Sequence, residues 1–246
     1  MEDNAQKPKQ PLLSHFAELR FRLIRSLWAI LIIFSIAIFF SNEMINFLKV
    51  PLLDSLPEGN KSLYFTGPLD VFMVSLKSSF LVAFILSCPI WIYQFWSFLA
   101  PALHKSEKKY IRPFILASII LFFTGVSFCF AFIIPLTLKF LIGLGSDVGV
   151  PMITITDYFS LLSLMIIGFG LVFELPVILL LLGFLNIISS KTLIKYRRHV
   201  IVVSLILSAV LTPPDPVSQL GLAIPLYIMY EISIVLLRFM KGKGKS

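Results

Sequence analysis

Charge is what this chain has least of. Only 14% of its 246 residues are Asp, Glu, Lys or Arg, while 58% are hydrophobic and the mean hydropathy is +0.93. A soluble domain with that balance would lack the polar surface to cover its core. Cysteine is nearly absent. Cys88 and Cys129 both lie inside apolar runs, with no CxxC spacing. That excludes a disulfide framework and reads as two inert packing thiols. The three histidines, His15, His104 and His199, each stand beside a basic cluster. They share no metal-ligand spacing with a cysteine or carboxylate, so no metal and no cofactor is assigned. No Ser/His/Asp or Cys/His set gathers at one level, and no pair of acids lies inside the apolar runs. An enzyme is therefore not expected. No nucleotide-binding glycine loop is present; Gly168-Phe169-Gly170 reads as close helix packing. No short apolar segment with a small-residue cleavage site follows the polar leader, residues 1–10, so a cleavable signal peptide is not expected.

What the chain has in abundance is long apolar runs, several of 18 residues or more, which mark an all-α integral membrane protein. Residues 1–246 read as one polytopic domain with a flexible leader at 1–10 and a basic tail at 239–246. Six spans can be drawn, near residues 23–40, 71–98, 111–138, 158–185, 200–212 and from 217 to about 237. Pro89, Pro176 and Pro225 fall inside the second, fourth and sixth, so these three are expected to bend. The fifth has only 13 residues. At 1.5 Å per residue it reaches about 20 Å, against a hydrocarbon core of about 30 Å. Pro213-Pro214-Asp215-Pro216 is a strong turn signal directly after it. The fifth and sixth spans therefore read as a short hairpin that thins the bilayer locally.

Orientation follows from the basic residues. Seventeen of the 21 lysines and arginines fall on one side: at the N-terminus, around Lys105–Arg112, around Lys191–Arg198, and from Arg238 onward. Both termini and this side are expected to be cytoplasmic. The opposite side holds a loop at 41–70, whose prolines, glycines and apolar residues suggest a packed cap, a second loop at about 139–157, and the Pro213–Pro216 turn. A net charge of +8 would raise the question of nucleic acid in a soluble protein. Membrane orientation accounts for it here, and no nucleic-acid partner is expected.

Several polar residues stand out against this background. Read as a helix, Ser14–Arg25 places His15, Glu18, Arg22 and Arg25 on one face and Phe16, Leu19 and Leu23 on the other, with Ser14 as N-cap. Glu18 can pair with Arg22 at i,i+4, a surface interaction of modest strength. Such a helix can lie on a membrane and run into a span. Glu107 lies in the basic run His104–Lys109. Glu174 falls near mid-membrane, where an ionisable group is costly and marks a candidate functional site. Thr212 and Gln219 flank the outer hairpin. One reading of Glu174 is a proton-coupled secondary transporter; such folds carry inverted repeats, and no internal repeat is evident.

Four separated motifs carry a more specific message. HFAELRFRL at 15–23, YQFWSFLAPALHKSEKK at 93–109, GFGLVFELPV at 168–177, and LTPPDPVSQ at 211–219 followed by AIPLYIMYEISI at 223–234 together resemble the TatC family. TatC proteins are the multi-spanning receptor subunits of the twin-arginine protein translocase. The resemblance covers the whole chain, with the same six-span, both-ends-inside plan. It implies a receptor that binds twin-arginine signal peptides on folded precursors. It implies assembly with the single-span TatA and TatB proteins, a homo-oligomeric receptor complex, and transport driven by the proton gradient. The expected location is the bacterial cytoplasmic (inner) membrane, with thylakoid or archaeal membranes possible by family. By position in these motifs, Glu18 and Glu107 match the acids that contact the arginine pair, and Arg20 their basic neighbour. Phe98, Pro51, Glu174 and Asp215 match positions linked to function or assembly. Two carboxylates select Arg-Arg over Lys-Lys because a guanidinium pairs through two parallel hydrogen bonds. Long-range charge opposes this ligand: 17 basic residues against five acids leave that face at about +12. The cationic ligand therefore rests on the resemblance and not on net charge.

Overall fold

Prolines decide where this helical fold is interrupted. The computed structural model describes residues 11–56, 63–100, 111–145, 152–185, 187–213 and 215–242. The helices are α1 (Pro11–Ala37), α2 (Ser41–Leu48), α3 (Val50–Leu53), α4 (Pro68–Leu86), α5 (Cys88–Leu99) and α6 (Ile111–Phe128). They continue as α7 (Ile134–Gly145), α8 (Ile155–Val172), α9 (Leu175–Phe184), α10 (Ser190–Leu211) and α11 (Pro216–Gly242). The second apolar run breaks at Ser87, two residues before Pro89, into α4 and α5. The fourth breaks at Phe173 and Glu174, just before Pro176, into α8 and α9. The third passes through a wide π turn at Cys129–Ile133 directly before Pro135. In each case the ring cannot donate to the carbonyl four residues back, so the ladder reorganises one turn earlier. At this break the Phe84 carbonyl accepts from Ser87 Oγ at 3.0 Å and from Trp91 Nε1 at 3.3 Å. α11 behaves differently and runs through Pro225 as one helix.

Five helical stretches among the described residues are long and apolar enough to cross a membrane: Phe16–Leu53, Pro68–Leu86, Ile111–Leu144, Ile155–Phe184 and Pro216–Phe239. The expected fifth span is the apolar half of α10, whose first half carries Lys191, Lys195, Arg197 and Arg198. The apolar stretch of its partner arm, in α11, runs over Pro216–Phe239. Two further expectations are corrected. Ser14 is not an N-cap: α1 already starts at Pro11, a residue suited to a first helical turn. Lys139 is not in a loop, because α7 continues to Gly145.

The α8–α9 run forms the axis of the bundle. Tyr158, Phe159, Leu162, Met165, Ile166 and Phe169 of α8 are all buried. Close approach to α6 is made possible by glycine. A methyl group on Gly170 would stand 2.6 Å from the Phe122 ring, and one on Gly125 would stand 2.8 Å from the Phe169 carbonyl. Gly168 meets only ordinary contacts with Leu211. The packing expected of Gly168–Gly170 thus falls on Gly170. At the end away from the basic residues, α2 and α3 form a cap. Tyr158 OH donates to the Leu48 carbonyl at 2.6 Å, and Tyr64 pairs its backbone with Ile153 and Ile155. The Asp70 carboxylate closes the start of α4 by accepting from Thr66 N, Thr66 Oγ1 and Gly67 N.

Candidate functional site

At the basic end, α1 and α5 lie side by side and leave a groove between them. Its cavity of about 280 Å³ is lined by Leu23, Leu27, Phe84, Trp91, Phe95 and Phe98, with Arg22 and Gln94 as polar members. Helical spacing explains the lining: residues 19, 22, 23, 26, 27 and 30 make one stripe of α1. Arg22 organises the polar edge. Its Nη2 and Nε donate to Glu18 Oε1 at 2.6 and 3.0 Å, and its Nη1 reaches Gln94 Oε1 at 3.5 Å. Glu18 and Arg22 therefore pair at i,i+4 as expected. Both side chains are part-exposed, at 35% and 22%. Phe98 joins the same groove. Arg20 does not: it is exposed and, at 100° per residue, lies about 160° round α1 from Glu18. Glu107 lies outside the described residues, so the expected pair of acids is described only through Glu18.

The second candidate is the joint between α8 and α9. Glu174 is 8% exposed and caps no helix through its side chain. Trp96 Nε1 donates to Ser118 Oγ at 3.0 Å, and the Ser118 hydroxyl faces the Glu174 carboxyl. Glu174 Oε1 is buried with no hydrogen-bond partner among the described residues. The breaks at Ser87 and Glu174 lie close together: Cys88 is near the carboxyl, and Val177 packs with Cys88, Trp96 and Phe122. A carboxyl held on one side and open on the other can accept a hydrogen bond from an arriving donor, or donate one when protonated.

The remaining expected residues lie at the opposite end. Asp215 is the N-cap of α11: Oδ1 accepts from Ser218 N at 2.7 Å and Oδ2 accepts from Ser218 Oγ at 2.5 Å. Ser218 Oγ also reaches Thr137 Oγ1 at 2.8 Å, which ties the hairpin to α7. Thr212 is buried and donates to the Ser208 carbonyl at 2.8 Å; Gln219 Nε2 donates to the Leu205 carbonyl at 3.2 Å. Pro51 is buried at the start of α3, and its carbonyl accepts from Ser55 Oγ. Sequence reasoning missed Gln94, Ser118 and the Arg197–Glu231 ion pair at 2.6 Å. Gln94 carried a signal, as a lone amide in an aromatic run; Ser118 carried none.

Comparison with known proteins covers nearly the whole chain. The family described as "Sec-independent protein translocase protein (TatC)" matches residues 14–225. The TatC protein of Escherichia coli (strain K12) is 37% identical over 238 residues, covering 96% of this chain and 92% of that protein. The Aquifex aeolicus TatC protein is 38% identical, with 96% and 98% covered, and that of Carboxydothermus hydrogenoformans is 41% identical, with 100% and 98% covered. Among solved structures, "Crystal Structure of Twin Arginine Translocase Receptor- TatC" superposes with a TM-score of 0.81 at 36% identity, covering 92% of this chain and 98% of that one. These relatives give the solute-transporter reading of Glu174 no support.

Proposed function

This chain belongs to the TatC family of Sec-independent protein translocase proteins, and we propose that it is the receptor and core subunit of a twin-arginine translocase. The observation that carries this reading is the near-full-length match to a twin-arginine translocase receptor, at 36% identity and a TM-score of 0.81. In this reading the α1–α5 groove at the cytoplasmic side receives the signal peptide. Glu18 and Glu107 read the arginine pair, and the aromatic wall, Phe98 included, receives apolar residues that follow. Arg22 already neutralises Glu18, so an arriving guanidinium shares or displaces an existing partner. Recognition is then an exchange of charge partners in a part-exposed setting, which costs less than stripping a free carboxylate of water.

Glu174 is assigned to the transport step, after recognition. It is too enclosed to meet a surface-bound arginine first, and its open oxygen suits a donor arriving from within the membrane. TatA and TatB are the proposed single-span partners, a homo-oligomeric complex the proposed assembly, and the proton gradient the driving force. The bacterial cytoplasmic membrane is the proposed location. Thr212 and Gln219 are proposed to contact partner spans. The Thr212 hydroxyl proton already serves a carbonyl of its own hairpin, so Thr212 offers an acceptor, whereas Gln219 keeps its amide oxygen and a second N–H for a partner. Asp215 and Pro51 act indirectly, by fixing the hairpin and the cap.

A photo-crosslinker placed at Gln94 or Phe98 tests the reading in native membranes. A twin-arginine precursor is expected to crosslink, and its twin-lysine counterpart is not. Equal capture of both precursors, or capture only from positions on the opposite side, would sink it.

A further inference from the structure

The first half of α10 carries cations that the groove does not use. We infer that this helix face holds an anionic diacyl phospholipid from the leaflet at the basic end. Lys191, Lys195 and Arg198 recur at intervals of four and three, within about 60° of one another at 3.6 residues per turn. All three are exposed, and among the described residues none of them makes an ion pair. The opposite face of the same helix is occupied. Leu193, Ser204 and Ser208 are buried there, and Arg197 pairs with Glu231 of α11 at 2.6 Å. Tyr227 OH donates to the other Glu231 oxygen at 3.0 Å. Glu231 is thus held by its own partners, and the three remaining cations are exposed without an ion pair among the described residues.

Below them the same stripe turns apolar. Val202 and Ile206 continue it and are 56% and 59% exposed, and Val203 beside them is 49% exposed. From Arg198 to Ile206 the helix rises about 12 Å, close to the ~15 Å of hydrocarbon in one leaflet. Cations at headgroup depth followed by an acyl-length apolar stripe match the two ends of one phospholipid. Tyr196, exposed next to His199 with ring centroids 5.4 Å apart, gives the interface an aromatic residue with a polar tip. A basic face attracts anionic headgroups in general. The specific claim is that these three side chains act as one site, distinct from other cations of that leaflet such as the exposed Arg238.

The test uses the full-length protein, delipidated in a neutral detergent and titrated with phosphatidylglycerol, phosphatidylcholine or soluble glycerophosphate while bound lipid is counted by native mass spectrometry. Wild type is expected to retain phosphatidylglycerol over phosphatidylcholine and to ignore glycerophosphate. The combined change K191Q/K195Q/R198Q is expected to weaken phosphatidylglycerol retention by more than about tenfold, as three interfacial cations imply, while R238Q leaves it within about twofold. Glycerophosphate binding as strongly as the lipid would overturn a lipid site in favour of a phosphate site. Retention unchanged by the combined variant, or lost equally per charge in R238Q, would overturn a defined site altogether. A second measurement does not depend on the charge variant folding. Val202→Cys and Val235→Cys, both on exposed positions of α10 and α11, are exposed to a photoactivatable phosphatidylglycerol in native membranes. Labelling is expected at Val202→Cys in excess of Val235→Cys; equal labelling, or a protein adduct in place of lipid at Val202→Cys, refutes the inference.

Discussion

Glu18 stands at an open groove with a guanidinium against it, whereas Glu174 stands in a closed joint with a hydroxyl beside it and an indole beyond. Both are carboxyls in a chain that has few. The difference lies in what surrounds them. Glu18 is part-exposed and held by Arg22 through two donors on one oxygen. An incoming arginine meets a geometry already built for guanidinium. Glu174 is 8% exposed, has no cation among its described contacts, and keeps one oxygen unpartnered among the described residues. Its setting suits hydrogen bonding with a group that arrives inside the membrane. Under the proposed function, the comparison teaches how burial would divide one residue type between recognising a cation and responding to a later step.

The largest expected effect is on recognition. Glu18→Gln and Glu107→Gln each remove a charged hydrogen bond to arginine and are expected to weaken precursor binding by about 1.5–3 kcal/mol, roughly 10- to 150-fold. Precursor binding in membranes, measured by co-purification, checks this. If both variants bind as wild type does, the arginine-reading site lies elsewhere.

Glu174 is expected to give the opposite pattern. Glu174→Ala should transport poorly while precursor binding stays within about twofold of wild type, because the side chain is shielded from the groove. Glu174→Gln, which keeps an acceptor and gains a donor, should transport partly. Ser118→Ala should fall between wild type and Glu174→Ala, since it removes the hydroxyl that faces the carboxyl. Should Glu174→Ala lose binding to the same extent as Glu107→Gln in a stably inserted protein, the division between the two glutamates would collapse.

Asp215 supplies a control for that division, as an acid whose two oxygens are both satisfied inside the chain. Its effect should be on stability. Asp215→Ala removes an N-cap worth about 1 kcal/mol and the strut through Ser218 to Thr137. Thermal unfolding in detergent should start earlier, and Asp215→Asn, which keeps the capping oxygen, should recover most of the loss. A transport defect in Asp215→Asn with unchanged melting would make Asp215 a direct participant and not a structural one.

Much of the fold could be read from composition and proline alone. Apolar runs longer than 18 residues must be helical in lipid, and Pro89 and Pro176 mark where two of them break. Hydropathy failed where helix and apolar run do not end together. α10 extends about ten residues beyond its apolar half because charged residues propagate a helix as well as apolar ones do. α7 carries Lys139 for the same reason. At the groove, Glu18–Arg22 was legible from i,i+4 spacing, but Gln94 lies 72 positions from Arg22 and only packing of α5 on α1 joins them. Arg20 enters only as a position in the family motif; helical geometry points it away from Glu18, and no spacing argument joins the two.

The smallest expected effect tests whether Arg22 belongs to the binding surface or only holds Glu18 in waiting. An exposed i,i+4 pair contributes about 0.2–0.5 kcal/mol to its helix, so Arg22→Gln should barely change stability. The same substitution releases Glu18 Oε1 from both of its donors and removes one positive charge from the path of a cationic peptide. Gln94 itself stays in the groove lining, so the groove keeps a polar edge. Precursor binding is therefore expected to tighten by about twofold, with the gain fading as salt is raised because part of it is screened repulsion. Binding titrations of the variant at low and high salt decide the matter. A loss of affinity of more than about fivefold would show that Arg22 does more than occupy Glu18. It would then be holding the carboxylate in the orientation that the arginine pair requires.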